Sequence, residues 1–104
     1  MRMADLNLDR QRLAALCQRY GVLTLEAFGS FVRGDADADS DLDLLVTYDQ
    51  DHRGGLEFVA LRQELEELAS RPVDLLTRVS VVNSPNKYFR RFALRQTEPV
   101  YERV

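Results

Sequence analysis

Two aspartates one residue apart, Asp41-Leu42-Asp43, head the apolar run Leu44-Leu45-Val46, and they follow the small pair Gly29-Ser30 after ten intervening residues. Few folds accommodate this arrangement. Aspartate is disfavoured in strands, and a lone carboxylate buried among leucines costs several kcal/mol. A bound divalent cation removes that penalty. Residues two apart on a strand point to the same side, roughly 6.5–7 Å apart along the chain, so both carboxylates can reach the same ions. In two-metal sites the ions lie ~3.5–4 Å apart and clamp the entering and leaving oxygens of a phosphoryl displacement. Oxygen-only ligation suits Mg²⁺ or Mn²⁺ better than zinc. The plainer alternative is a pair of solvent-facing residues at a strand edge or turn. Gly29 lets a phosphate approach the backbone closely, and Ser30 adds a hydroxyl and an N–H. Such a turn is common by itself; its weight comes from the fixed distance to the aspartates.

Asp74 repeats the pattern in Pro72-Val73-Asp74-Leu75-Leu76, an aspartate inside an apolar strand. If the two strands are neighbours, Asp74 faces Asp43 and can hold one metal or take the proton of an attacking hydroxyl. Arg33 can meet phosphate or pair with Asp35 or Asp37. Asp35, Asp37 and Asp39 read as a solvated turn. His52, alone in a loop, and Cys17, alone on a helix, are not read as ligands. One cysteine forms no internal disulfide, which fits a reducing cytoplasm.

Apolar spacing places the remaining elements. Leu13, Leu16, Cys17 and Tyr20 predict an amphipathic helix over about Asp9–Tyr20, with Asp9 as N-cap and Gly21 as stop. Val22–Phe28 reads as a strand, Phe31-Val32-Arg33 as a short helix ending at Gly34, and Asp41–Tyr48 as the second strand. Asp49–Gly55 reads as a solvated loop. Phe58, Leu61, Leu65 and Leu68 mark a helix over Leu56–Ser70, and Val73–Thr77 is the third strand. Ser84-Pro85 predicts the opening of a last helix, about Pro85 to Gln96, burying Phe89, Phe92 and Ala93. Pro99-Val100-Tyr101 suggests a short terminal strand. The alternation predicts an α/β or α+β layer fold, with helices over a sheet of about four strands, in a single domain spanning residues 1–104.

The net charge of −3 hides an asymmetry: residues 31–51 carry seven aspartates and one arginine, and the rest of the chain carries thirteen basic and ten acidic residues. That acidic stretch repels nucleic acid unless cations intervene, and no basic stripe lines up beside it, so direct nucleic-acid binding is not expected. Thirteen of the fourteen basic residues are arginine, which favours phosphate handling or protein interfaces; a GC-rich genome gives the same bias. Tyr88, Arg90, Arg91 and Arg95 read as an interface or a solvated face of the last helix, with nucleic-acid contact the lesser alternative. No apolar run approaches the ~18–20 residues of a membrane span, and the polar N-terminus is unlike a secretory signal.

The stretch from Phe28-Gly29-Ser30-Phe31-Val32-Arg33-Gly34 through Ser40-Asp41-Leu42-Asp43-Leu44-Leu45-Val46, with Val73-Asp74-Leu75 and the ending Glu98-Pro99-Val100-Tyr101, resembles the minimal nucleotidyltransferases (MNT) of the DNA polymerase β-type superfamily. The resemblance implies the nucleotidyltransferase fold, a mixed sheet of about four strands flanked by helices, and two Mg²⁺ held by Asp41, Asp43 and Asp74. It further implies a nucleotide held through Gly29, Ser30 and Arg33, and transfer of a nucleoside monophosphate from NTP to a hydroxyl. Stand-alone members of this size resemble the antitoxin of HEPN/MNT toxin–antitoxin pairs. For this chain that implies a cytoplasmic protein adenylyltransferase (AMPylation) that uses ATP to modify a tyrosine of its HEPN ribonuclease toxin partner. Two alternatives stand beside it: a nucleotidyltransferase for a small hydroxylated molecule such as an aminoglycoside, and a catalytically silent toxin-binding module.

Overall fold

The computed structural model describes residues 1–49 and 55–103. His52, Asp51 and most of the expected Asp49–Gly55 loop lie outside them. Helix α1 (Arg10–Arg19) opens where the Asp9 carboxylate accepts the N–H groups of Gln11 and Arg12, as its sequence predicts. Strand β1 (Val22–Phe28) leads into the four-residue helix α2 (Ser30–Arg33), and β2 (Leu42–Tyr48) follows the aspartate-rich turn. Then come α3 (Leu56–Ala69), β3 (Val73–Thr77), α4 (Arg78–Val82), α5 (Lys87–Leu94) and β4 (Glu98–Glu102).

The strands form one mixed sheet in the order β3-β2-β1-β4. Strand β1 is antiparallel to both β2 and β4, whereas β2 and β3 run parallel. Parallel neighbours need a crossover of a dozen or more residues, and α3 provides it. Pro99 sits in the edge strand β4, where a missing N–H donor does least damage.

Side-chain alternation divides the sheet into two unequal layers. Leu25, Ala27, Leu42, Leu44, Val46, Val73 and Leu75 pack against Leu13, Leu16 and Cys17 of α1 and Leu61 and Leu65 of α3 in the main core. On the opposite face Phe28 and Leu45 meet Val81 of α4 and Ala93 of α5, with Leu76 and Leu94 at the margin. Asp43 shares the parity of Leu45, and Asp74 that of Leu76, so both carboxylates belong to this thinly covered face.

Two expectations about the C-terminal third need correction. The last helix starts at Lys87, not Pro85: the Asn86 carboxamide accepts the N–H groups of Tyr88 and Phe89 and caps it. The Ser84 hydroxyl instead accepts the Asn86 N–H. The helix ends at Leu94 rather than Gln96. Phe89 and Phe92 are not core; they remain 37% and 52% exposed. Ala93 is the contact residue, and its small side chain brings α5 close to Phe28 and Leu45, which turns the phenylalanines outward. Helix α4 was not foreseen at all; the Thr77 hydroxyl caps it by accepting the Ser80 N–H. Among the described residues no helix is long and apolar enough to cross a membrane.

Candidate active site

The parallel register of β2 and β3 pairs Asp43 with Asp74. A hydrogen bond from the Leu42 N–H to the Pro72 carbonyl (2.9 Å) aligns the two strand starts. Asp41 lies one residue before β2 and is exposed, as is Asp74, whereas Asp43 is half-buried. The expected strand therefore holds Asp43 but begins just after Asp41. Burial, then the neighbouring carboxylates of Asp74 and Asp41, push the Asp43 carboxyl up from 3.8 to about 6, against an opposing pull from the Arg33 guanidinium. The three predicted aspartates thus form one electrostatic neighbourhood. Among the described residues no three metal-ligating side chains already close on a single point, as expected of like charges that repel without a cation between them.

Gly29 opposes this cluster at the end of β1, where Phe28 pairs with Asp43 across the sheet. Its φ of 75° with ψ of −145° falls in a region essentially confined to glycine. A Cβ at Gly29 would collide with Asp43 Oδ2. Backbone and carboxylate are therefore in direct apposition, which only glycine permits. Within the described residues the Ser30 side chain makes no hydrogen bond; its carbonyl accepts from the Gly34 and Asp35 N–H groups, at 2.9 and 3.0 Å. Arg33 takes the second of its predicted options, the pairing with Asp35. It bonds Asp35 at 3.0 Å while its charge acts on Asp43.

The turn that delivers Asp41 is braced from outside. Asp37 accepts the Asp39 N–H (2.9 Å) and the Ser40 hydroxyl (3.2 Å), forming the exposed turn that the sequence predicts. Arg71, between α3 and β3, donates to the Ser40 carbonyl at 3.1 Å and lies over the Phe31 ring at 4.8 Å. Arg2 donates to the Val32 carbonyl at 2.8 Å. Neither arginine was singled out from the sequence, because an isolated arginine beside a proline or at a chain terminus carries no local signal. Only the core reading of the α5 face fails, since Phe92 is exposed. Arg95 and Phe92, read as surface and core, line a pocket with Gly29, Arg33 and Gln96.

The donor set fits the metals that the sequence suggested. Asp41, Asp43 and Asp74 offer oxygen atoms only, and a divalent cation would offset both the burial and the neighbouring charge that raise the Asp43 carboxyl. Residues 10–99 match the nucleotidyltransferase domain family. The chain belongs to that family. This nucleotidyltransferase is 41% identical over 66 residues, covering 64% of this chain and 66% of the other, to the protein adenylyltransferase MntA of Thermococcus cleftensis. A solved structure described as a "putative minimal nucleotidyltransferase" superposes with a TM-score of 0.67 at 34% identity, covering 88% of each chain. An MNT antitoxin complexed with the tri-AMPylated HEPN toxin of Shewanella oneidensis shares the fold, with a TM-score of 0.58 at 17% identity; the match covers 90% of this chain and 70% of that one. The nucleotidyltransferase fold and enzyme class expected from the aspartate motif are borne out.

Proposed function

We propose that this nucleotidyltransferase is a cytoplasmic, Mg²⁺-dependent protein adenylyltransferase of one domain, and that it serves as an antitoxin. It moves AMP from ATP to a tyrosine hydroxyl of a cognate HEPN ribonuclease toxin and thereby inactivates it. One observation carries the reading: Asp43 and Asp74 pair in register on adjacent parallel strands, beside a glycine turn in contact with Asp43. The relatives' activity and assemblies supply the acceptor class. The exposed positions of Asp41 and Asp74 leave the site open to an acceptor as large as a protein.

Asp41 and Asp43 hold the cations, and Asp74 completes one cation site. Two bound Mg²⁺ supply charge neutralisation for the triphosphate and for the leaving pyrophosphate. The Gly29 backbone and the Ser30 hydroxyl hold the outer phosphates. Asp74 takes the phenolic proton as the tyrosine oxygen bonds to the α-phosphorus; the bond from that phosphorus to the bridging oxygen breaks, and pyrophosphate leaves.

The test uses ATP labelled at the α-phosphate, Mg²⁺ and the helical protein encoded beside this gene, with label and mass followed on both proteins. The expected result is AMP on a partner tyrosine. Asp41→Asn with Asp43→Asn should abolish transfer, and Asp74→Asn should slow it by about 10²-fold or more, the usual contribution of a general base. Label only on a small molecule, or neutralisation unchanged in the double variant with no transfer, would overturn the proposal.

A further inference from the structure

The C-terminal end of α5 was expected to be a solvated or partner-facing surface. It is exposed, and it forms one wall of a cavity of about 260 Å³ whose other wall is the Gly29 turn, lined by Gly29, Arg33, Phe92, Arg95 and Gln96. Gly29 is the residue in direct apposition to Asp43, so the cavity opens beside the cation-binding carboxylates. Its size falls below the ~300–1,000 Å³ typical of pockets that enclose a whole small-molecule ligand. It suits part of one.

Its chemistry is cationic. Arg33 and Arg95 face it, and no acidic residue lines it. Arg33 lies over the Phe92 ring, 5.2 Å from the centroid, and the ion pair with Asp35 holds its other side at 3.0 Å. That double restraint fixes a guanidinium which would otherwise sample many rotamers, and it accounts for an aromatic ring left half in water. The Arg95 side chain makes no hydrogen bond or ion pair among the described residues, so its five N–H donors are available to a ligand. Two guanidinium forks, one held and one free, match a short polyphosphate through bidentate bonds.

We propose that Arg95, at the end of the last helix, is a further leaving-group residue that faces the β- and γ-phosphates of the donor nucleotide across this cavity, and that Phe92 is the positioning residue for Arg33. The proposal rests on the nucleotidyltransferase reading and adds a second wall to the phosphate site that the Gly29-Ser30 turn begins. As the α-phosphorus bonds to the acceptor oxygen and its bond to the bridging oxygen breaks, an electron pair passes to that oxygen and negative charge grows on the departing pyrophosphate. Two positive charges on that side favour departure.

The experiment measures displacement of a fluorescent ATP analogue from the full-length protein, with Mg²⁺, by ATP, tripolyphosphate and AMP. Arg95→Ala should weaken ATP and tripolyphosphate by about tenfold or more, the loss of one charge-assisted contact, and leave AMP within about twofold. Arg95→Lys should recover part of the loss. Arg91→Ala removes an equal charge from the same helix outside this cavity, and should change little. Phe92→Leu should weaken tripolyphosphate as Arg33→Ala does, and the double variant should be no worse than Arg33→Ala. Equal losses in the Arg91 and Arg95 variants, or ATP binding in Arg95→Ala within twofold of the parent, would overturn the assignment while the nucleotidyltransferase reading stands. A parent protein that takes up no ATP would overturn both.

Discussion

At Asp43 a single side chain couples stability to function. Its carboxyl is raised to about 6 by burial and by the carboxylates of Asp74 and Asp41, so the folded state holds this proton more tightly than the unfolded chain does. Between pH 3.8 and about 6 the folded protein binds more protons at this position, and its stability therefore falls as the pH rises through that window. The contribution is fully present below 3.8 and gone above the raised value. In chelator-treated protein Asp43→Asn should be more stable than the parent at pH 7.5 by on the order of 1–2 kcal/mol, after allowance for the half-exposed setting. The gain should vanish near pH 4. Urea unfolding at the two pH values measures it; a pH-independent difference would mean that packing, not charge, sets the balance. On the proposed mechanism the same variant also removes a cation ligand, so a gain in stability should accompany a loss of activity.

At the scale of elements, the second layer over the sheet is thin. Helices α4 and α5 have five and eight residues and meet the sheet mainly through Val81 and Ala93. Helices this short are marginal alone, so their caps matter. Asn86→Ala removes the acceptor for two N–H groups and should cost about 1 kcal/mol. A thermal melt should show a fall of about 4–8 °C for a domain of this size. An unchanged melting temperature would show that Ala93 packing alone holds α5. The pairing of Arg78 with Glu26 at 3.0 Å ties the start of α4 to β1 across Leu45, on the same face as the aspartates. Sequence spacing located β1 and β3 to the residue, because alternation and length are local properties. The rotation of α5 was not legible. Phe89, Phe92 and Ala93 all carry an apolar signal, and only the closeness of Phe28 and Leu45 selects the smallest of them for the contact.

At the scale of the molecule, the main core lies on the face opposite the site. Cys17 sits fully inside it, and burial pushes its thiol up to about 12. A thiolate is the reactive form, so native protein should resist iodoacetamide while urea-unfolded protein is alkylated at the ordinary rate. Mass spectrometry over a urea series should follow the global unfolding curve. Rapid labelling in native buffer would mean that α1 opens independently of the sheet. Leu61, Leu65 and Cys17 fix the scaffold on one face, and the sparsely covered opposite face carries the carboxylates of Asp43 and Asp74.

The sequence alone determined the chemistry on offer: aspartates set in apolar strands, a glycine turn at a fixed distance, and the strands that carry them, since each follows from residue type and short-range periodicity. Which strands are neighbours, which aspartates meet, which face of α5 turns outward, and that Arg95 lies across a cavity from Gly29 while Arg71 braces the Ser40 turn were decided by tertiary packing. Those relations join residues dozens of positions apart, and no local pattern encodes a distance that the sheet alone closes.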